Sequence, residues 1–289
     1  MKTLFRGTQR KLGTVLAGGV LMLMSGFAMG GIANSKHDLS STNTTPGATF
    51  NNGTAEICVF CHTPHGASNN VANVPLWNRN ASSGTTTYQS YASLGSSSFD
   101  AKEATVGSIS LACLSCHDGT QAMNSVINSP GSGTTGVAGS SSWNGTNVIS
   151  ATGQMAVSAG GYPNLSTDLS NDHPISMQYG GGRVAAYVAG TTYAANTTID
   201  PDFAGITPRN ATSSIWYIET TGTGIDITGG QQKDDISLYT RTDASVTGGA
   251  QPFVECGSCH DPHNGGAGTA TFLRVLNTGS QVCLTCHLK

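Results

Sequence analysis

The sequence predicts an irregular fold that is mostly coil, with few short helices and some β structure. Charged residues make up 10% of the 289 residues, against about 25% in an ordinary globular domain. Gly, Ser, Thr and Asn take their place, and the chain has few segments with a helical period. Such a composition does not easily bury a large core made of protein alone. A third observation, four Cys-x-x-Cys-His motifs, indicates what fills the interior instead.

Residues 1–30 are predicted to be a cleaved signal peptide. A basic segment precedes an apolar stretch, and Ala28-Met29-Gly30 offers small residues where signal peptidase cuts. Four glycines interrupt the apolar stretch and no basic stop-transfer cluster follows it, which disfavours a transmembrane anchor. We therefore expect the mature chain to begin near Gly31. The protein would be secreted through the periplasm to the cell surface or beyond, without a membrane anchor.

The mature chain is predicted to be acidic. Four of the 13 Lys and Arg lie in residues 1–30 and none of the 16 Asp and Glu does, which leaves a net charge of −7. An acidic protein is a poor partner for nucleic acid or for an anionic membrane surface. Residues 1–30 also contain no cysteine, which excludes a lipid anchor on an N-terminal cysteine.

All eight cysteines belong to the four Cys-x-x-Cys-His motifs. In this spacing two thiols can bond to the two vinyl groups of one porphyrin, and the following histidine, called proximal below, binds the iron. Disulfides need no histidine after every second cysteine, and zinc sites usually combine two cysteine pairs without one. A thioredoxin-like site needs a strand–helix context. We therefore predict four haem c groups per chain. Motifs 1 to 4 contain, in chain order, Cys58, Cys61 and His62; Cys113, Cys116 and His117; Cys256, Cys259 and His260; and Cys283, Cys286 and His287.

Four histidines lie outside these positions, as many as four irons need for a second axial ligand. We predict bis-histidine ligation throughout. The alternative is that Met123, Met155 or Met177 binds one iron and that one of the four histidines lies at the surface. The candidate second ligands are His37, His65, His173 and His263.

A neighbouring proline restricts the backbone at three of these four histidines. His65 and His263 each lie three residues beyond a proximal histidine and directly after a proline. Since proline prevents simple continuation of a helix, each is directed away from its own haem and toward a neighbouring one. His173 precedes a proline and is the only histidine between motifs 2 and 3, whereas His37 lies near the proposed mature N-terminus. The pairing of candidates with haems stays open.

The spacing of the motifs predicts one tetrahaem domain over residues 31–289. Two haems attach within residues 58–117 and two within residues 256–287. Residues 129–250 form a haem-free insert, rich in Gly, Ser, Thr and Ala, whose many aromatic residues favour an ordered segment over a flexible linker.

The secondary structure predicted for this domain is sparse. Short helices are expected within residues 101–116 and over residues 280–287. Within the insert, Ser214–Thr220 favours a short strand.

Together these features resemble the tetrahaem c-type cytochromes of the OmcE-like extracellular cytochrome filament, or nanowire, family. The insert gives no specific match. The resemblance rests on the signal peptide, His37-Asp-Leu-Ser, the two Cys-x-x-Cys-His-x-Pro-His units Cys58–His65 and Cys256–His263, Cys113–Gly119 and the terminal Cys283–His287.

The resemblance implies bis-histidine haems stacked in an unbroken chain through each subunit of a helical homopolymer. Electrons would pass from upstream periplasmic or outer-membrane cytochromes to extracellular acceptors such as ferric minerals or electrodes. In some members of the family a histidine of one subunit binds a haem of the next, and His37 is the candidate for that role here.

Bis-histidine irons have no open coordination position, so we expect no enzymatic activity and no catalytic residue. Two alternatives stay open. A monomeric periplasmic or cell-surface electron-transfer cytochrome would use the same ligands, and the large insert of low charge disfavours it. A multihaem reductase is less expected, because it needs one haem that lacks a second axial ligand.

Overall fold

The predicted fold class is confirmed in the part of the chain that the structure describes. The chain is mostly coil, with a few short helices and a small antiparallel sheet. The predicted signal peptide lies outside the described residues, as do Tyr162, Tyr187 and Tyr193 of the insert. The computed structural model describes residues 31–45, 50–51, 54–80, 86–95, 102–123, 125–129, 143–144, 153–155, 164–180, 198, 202–208, 216–220, 231, 234–243, 250–264 and 272–288.

The described ranges contain three α-helices, three 3-10 turns and seven strands. The helices are α1 (Ser108–His117), α2 (Cys256–Cys259) and α3 (Gln281–Cys286), and the 3-10 turns are Cys58–Phe60, Tyr91–Leu94 and Thr278–Ser280. The strands are β1 (Phe50–Asn51), β2 (Trp143–Asn144), β3 (Met177–Gln178), β4 (Thr207–Pro208), β5 (Trp216–Ile218), β6 (Ile236–Arg241) and β7 (Gln251–Val254).

The helices lie where the sequence predicts them, around the motifs. Helix α1 falls in the first predicted region and extends to His117, and α3 falls in the second. Helix α2 starts with a capping box, in which Glu255 and Ser258 exchange hydrogen bonds between side chain and backbone. No helix in the described ranges combines the length and the apolar character needed to cross a membrane.

Five strands form one antiparallel sheet in the order β3-β7-β6-β5-β4, and β1 pairs separately with β2. Strand β6 is central, with Leu238 opposite Trp216 of β5 and Tyr239 opposite Phe253 of β7. Three of these four residues are aromatic, a class of residue that is enriched in strands. The sheet belongs mainly to the predicted insert, and β7 leads through Glu255 directly into motif 3.

An apolar core packs on this sheet, although the composition gave little reason to expect one. Its buried members are Tyr179, Ile206, Trp216, Ile218, Ile236, Leu238, Val254 and Val275. Burial of one such side chain contributes about 1.5–3 kcal/mol. The sequence did not reveal this core, because its residues are spread over a long Gly- and Ser-rich part of the chain. They come together only in the folded sheet. The insert therefore contains a packed layer, consistent with its aromatic content.

Candidate haem-binding site

Each motif folds as a single helical turn. In motifs 1, 3 and 4 the histidine N–H donates to the carbonyl of the first cysteine, at 2.8, 3.1 and 2.9 Å. Motif 2 forms the last turn of α1. Residues three apart lie on one face of a helical turn, so the two thiols of each motif face the same side. This local structure follows from the motif spacing alone.

The cysteines bring the four motifs together in chain order. Burial and the nearby Cys116 of motif 2 raise the pKa of Cys61 in motif 1 to about 12. The thiols of Cys113 in motif 2 and Cys256 in motif 3 are in hydrogen-bonding contact. Burial and the nearby Cys259 of motif 3 raise the pKa of the second cysteine of motif 4 to about 12. Motif 1 thus lies beside motif 2, motif 2 beside motif 3, and motif 3 beside motif 4.

All eight thiols are free in the structure. Reactive thiols of redox enzymes have a lowered pKa, whereas burial raises the pKa of Cys61, Cys259 and Cys286. The pKa of Cys256 is lowered by its hydrogen bond with Cys113. Among the described residues, no three His, Cys, Asp or Glu side chains are grouped to hold a metal ion. A haem iron takes only two ligands from the protein, so a haem site requires a pair of histidines and not a group of three residues.

Two histidine pairs have the separation that one iron requires. The ring centroids of His62 and His263 are 6.2 Å apart, with an interplanar angle of 14°. Those of His37 and His117 are also 6.2 Å apart, at 73°. Two metal–nitrogen bonds of about 2 Å each, with each centroid about 1 Å beyond its nitrogen, put opposed imidazole rings about 6 Å apart. Each pair joins a proximal histidine to a predicted second ligand, so these residues fit a haem.

Hydrogen bonds orient the rings of the His62–His263 pair. His62 Nδ1 lies 2.8 Å from the Pro75 carbonyl oxygen, and His263 Nδ1 lies 3.3 Å from Asp261 Oδ1. An Nδ1–H that donates to such an acceptor leaves the lone pair of Nε2 for a metal. Both rings are therefore arranged as metal ligands on the nitrogen that faces away from the acceptor.

His37 is held by a compact N-terminal loop. Asp38 accepts hydrogen bonds from the backbone of Asn34 at 2.8 Å and from the hydroxyl of Ser40 at 2.6 Å. The His37 ring stacks on Phe272 at a centroid distance of 4.2 Å. Burial, followed by the nearby His117, lowers the pKa of His37 to about 4, so the imidazole is neutral and able to bind a metal at neutral pH. This placement favours ligation within the chain over the role between subunits that a terminal position suggested.

His173 lies close to motif 4. Burial lowers the pKa of His173, and the nearby His287 lowers it further. Its Nδ1 lies 2.9 Å from the Pro174 carbonyl oxygen, so Nε2 is left for a metal here too. The structure thus brings His37 and His263 to a ligand-like separation from a proximal histidine, and it places His173 near enough to His287 for their charges to interact.

His65 differs from the other three candidates. It lines a cavity of about 880 Å³ beside motif 1, together with Cys58 and His62 of that motif. Among the described residues, no ring contact joins His65 to the proximal histidine of another motif. Its predicted role as a ligand stays a prediction.

The three methionines that are alternative iron ligands lie in an apolar cluster or in a strand. Met123 and Met155 are buried in an apolar cluster with Leu39, Val59 and Phe60, against which Cys61 packs. Met177 lies in strand β3 and pairs with Val254.

The insert positions motif 4. The N–H of Ala204 donates to the Cys286 carbonyl at 2.8 Å, and the Tyr179 hydroxyl donates to the Ala204 carbonyl at 2.8 Å. The ring of Phe203 meets the ring of His287 edge-on at 5.3 Å. Nothing in the motif spacing indicates these residues, because they lie far from motif 4 along the chain.

A buried polar cluster joins motifs 2 and 3. Glu255, at the start of α2, accepts hydrogen bonds from Ser110 of α1 at 2.5 Å and from Arg241 of β6 at 2.9 Å. The Ser110 hydroxyl also accepts from the N–H of Cys256 at 3.0 Å. These residues could not be identified from the sequence, since no local pattern distinguishes a buried Glu or Ser from an exposed one.

A family model described as "Doubled CXXCH motif" matches residues 247–289, which contain motifs 3 and 4. No curated protein matches the chain. Motifs 1 and 2 carry the same residue pattern outside the matched range. The match, the motif chemistry and the histidine geometry together indicate a c-type cytochrome-like protein that binds haem c covalently through its Cys-x-x-Cys-His motifs.

Proposed function

We propose that the protein is a secreted tetrahaem cytochrome that polymerises into an extracellular filament and conducts electrons to acceptors such as ferric minerals or electrodes. The observation that supports the proposal is that cysteines of each motif lie near cysteines of the next, with Cys113 and Cys256 in hydrogen-bonding contact. Groups attached at four such positions would lie in one continuous series. A series of this kind suits conduction through the molecule better than reaction at a single centre.

The residues around each haem would serve electron transfer and not bond-making chemistry. Haem c, when bound, supplies a one-electron couple. The cysteines would fix the porphyrin to the chain, and two histidines would hold each iron, which would leave no place for a substrate on the metal. On this ground we infer that the protein is not an enzyme.

The ring geometry supports a pairing of ligands at motifs 1 and 2, and the electrostatic interaction of His173 with His287 supports one at motif 4. We assign His263 to the haem of motif 1, His37 to that of motif 2 and His173 to that of motif 4. His65 is then left for the haem of motif 3. His263 follows motif 3 in the chain, so its assignment ties motif 3 to the haem of motif 1.

The composition supports self-association into a helical homopolymer. Charged residues are 10% of the chain, so few like charges would repel neighbouring subunits. Upstream periplasmic or outer-membrane cytochromes would supply the electrons.

Cryo-electron microscopy of the haem-staining extracellular fraction tests the proposal. We expect filaments with a continuous chain of irons, four per subunit and two histidines on each. Discrete particles would instead support a monomeric electron carrier, and an iron with one open face would support a reductase. A haem count on the denatured chain checks the number four independently of assembly.

A further inference from the structure

Arg79 is a buried cation without a carboxylate partner among the described residues. Its residue exposure is 1%. The ion pairs found within 4.0 Å in the described part of the chain involve Arg241, Arg274 and His263, and not Arg79. Its guanidinium donates four hydrogen bonds, all to neutral oxygens.

These hydrogen bonds place the charge between motifs 1 and 2. Arg79 donates to the Ser115 hydroxyl at 3.3 Å and to the Ser115 carbonyl at 2.9 Å, and Ser115 lies between the two cysteines of motif 2. It also donates to the carbonyls of Met123 at 2.6 Å and Ala122 at 2.9 Å. On the other side Arg79 lies near enough to Cys61 of motif 1 for an electrostatic interaction.

Asn78, the residue before Arg79, holds Arg79 in this position between the motifs. The Asn78 side chain donates to the Val59 carbonyl, inside motif 1, at 2.6 Å, and its backbone N–H donates to the Cys61 carbonyl at 2.8 Å. Asn78 and Arg79 therefore connect the two motifs, with the cation held against the C-terminal end of α1. Carbonyl dipoles at a helix C-terminus stabilise a positive charge.

The arginines beside motif 3 are different. Arg241 pairs with Glu255 at 2.9 Å and with Asp243 at 3.2 Å, and Arg274 lies 3.7 Å from Asp261. Their positive charges are offset by carboxylates close by. Carbonyl dipoles stabilise the charge of Arg79, but no carboxylate among the described residues neutralises it. Removing such a charge from water is costly, so its burial indicates a role beyond packing.

We propose that Arg79 is a fixed positive charge that raises the reduction potential of the haems at motifs 1 and 2. Reduction adds one electron to a haem, and a buried cation beside the attachment site stabilises that added negative charge. The interaction is strong because the interior has a low dielectric constant and salt screens buried charges weakly. Burial and charge around a haem are known means of tuning its potential. The proposal rests on haem attachment at motifs 1 and 2, a part of the proposed function.

A potentiometric titration of the full-length, haem-loaded protein, followed by visible absorption, tests the role of Arg79. In Arg79→Gln we expect part of the titration curve to move to lower potential. A tenfold rise in the oxidised-to-reduced ratio of an affected haem corresponds to about 59 mV for a one-electron couple. The matched control is Arg79→Lys, which keeps the charge and loses the planar guanidinium, and its curve should stay close to that of the wild type.

The proposal is overturned if Arg79→Gln carries the wild-type number of haems and titrates as the wild type does. It is also overturned if Arg79→Lys shifts the curve as much as Arg79→Gln, because packing and not charge would then be responsible. Should Arg79→Gln fail to load haem, Ser115→Asp replaces it, since a carboxylate beside Nε should offset the cation and lower the potential. An unchanged curve for Ser115→Asp rejects the proposal. The haem count and the imaging of filaments decide the proposed function separately.

Discussion

His37 and His263 approach the proximal histidines His117 and His62, and contacts with neighbouring side chains hold their rings. The His37 ring stacks on Phe272, and His263 Nδ1 faces the Asp261 carboxylate. Each ring therefore has a fixed orientation and a nitrogen available for iron, which is the arrangement that tunes a metal ligand in other proteins. The second ligands that we propose for motifs 1 and 2 depend on these single contacts.

Replacement of His263 by Ala should change the haem at motif 1 alone. The iron bound by His62 would lose its second ligand, become high-spin and bind an added ligand such as imidazole or carbon monoxide. We expect about one quarter of the total haem absorbance to respond, if four haems are present. Visible spectra of the oxidised protein, before and after addition of imidazole, measure the change.

Asp261→Asn is the control for His263→Ala. It retains the imidazole ring and removes the charge of the acceptor 3.3 Å from Nδ1, a charge that also faces Arg274, so the haem should stay low-spin. An all-low-spin spectrum for His263→Ala would contradict the assignment of His263 to the iron.

Glu255 should give the folding free energy a pH dependence of known sign. Burial raises its pKa above the ordinary 4.5, although hydrogen bonds from Ser110 and Arg241 oppose the rise. The folded state thus holds this proton more tightly than the unfolded state. The stability linked to the protonated group is present below pH 4.5 and is lost as the pH rises through the folded pKa.

Glu255→Gln should remove this loss of stability on raising the pH. The neutral amide resembles the protonated carboxyl, and Arg241 keeps Asp243 at 3.2 Å as a partner. Denaturant unfolding at a series of pH values compares the two proteins. Parallel profiles for Glu255→Gln and the wild type would show that another group carries the dependence.

At the scale of elements, the sheet anchors both C-terminal motifs. Strand β7 continues through Glu255 into α2, which carries motif 3. The core on the sheet includes Val275 as a buried member, with Val282 and Cys286 of α3 packed against it. The insert is therefore a support for two haem-binding turns, which have too few residues to pack independently.

Leu238→Ala should test this support. Leu238 lies in the central strand with 0% exposure, and removal of such a side chain costs about 2–5 kcal/mol through lost burial and the cavity it leaves. Chemical denaturation of the haem-loaded protein gives the change in the free energy of unfolding. Leu276→Ala is the matched control, because Leu276 is 52% exposed, and it should cost far less. Equal losses of unfolding free energy in the two variants would mean that the core on the sheet contributes little to stability.

At the scale of the whole molecule, the contact between Cys113 and Cys256 is one place where the N-terminal pair of motifs meets the C-terminal pair, and the approach of His263 to His62 is another. Helices α1 and α2 meet at the cysteine contact, joined by the bonds of Ser110 to Glu255 and Cys256. Electrons that cross the molecule along the proposed series pass this junction. The thioether bonds at Cys113 and Cys256 would bring the haems of motifs 2 and 3 close together there.

Cys113→Ala should therefore slow electron transfer between the two halves and leave four haems in place, since Cys116 and His117 still hold the haem of motif 2. Photoreduction followed by time-resolved absorption measures the rate of internal equilibration. Cys58→Ala, which removes the first thiol of motif 1, is the control and should affect that rate much less. Similar rates in both variants would argue against a path through the contact.

The local chemistry of this protein could be predicted from its sequence. The interval between Cys58 and Cys61, and the histidine that follows, define a haem-binding turn from five consecutive residues. The low charge and the scarcity of helical periods indicated an irregular fold, and α1 and α3 lie where expected. Secretion, filament assembly and the single-domain organisation stay predictions.

The sequence by itself thus determined the kind of cofactor, the residues that attach it and the mostly coil fold, because these depend on neighbours in the chain. Only the tertiary structure decided that His263 meets His62, that Cys113 meets Cys256 and that Arg79 is buried between two motifs. Those contacts join residues far apart in sequence, so they arise from the packing of the sheet, helices and loops together. No local pattern encodes them, since the same His, Cys or Arg in the same short segment can be exposed or buried according to what folds against it.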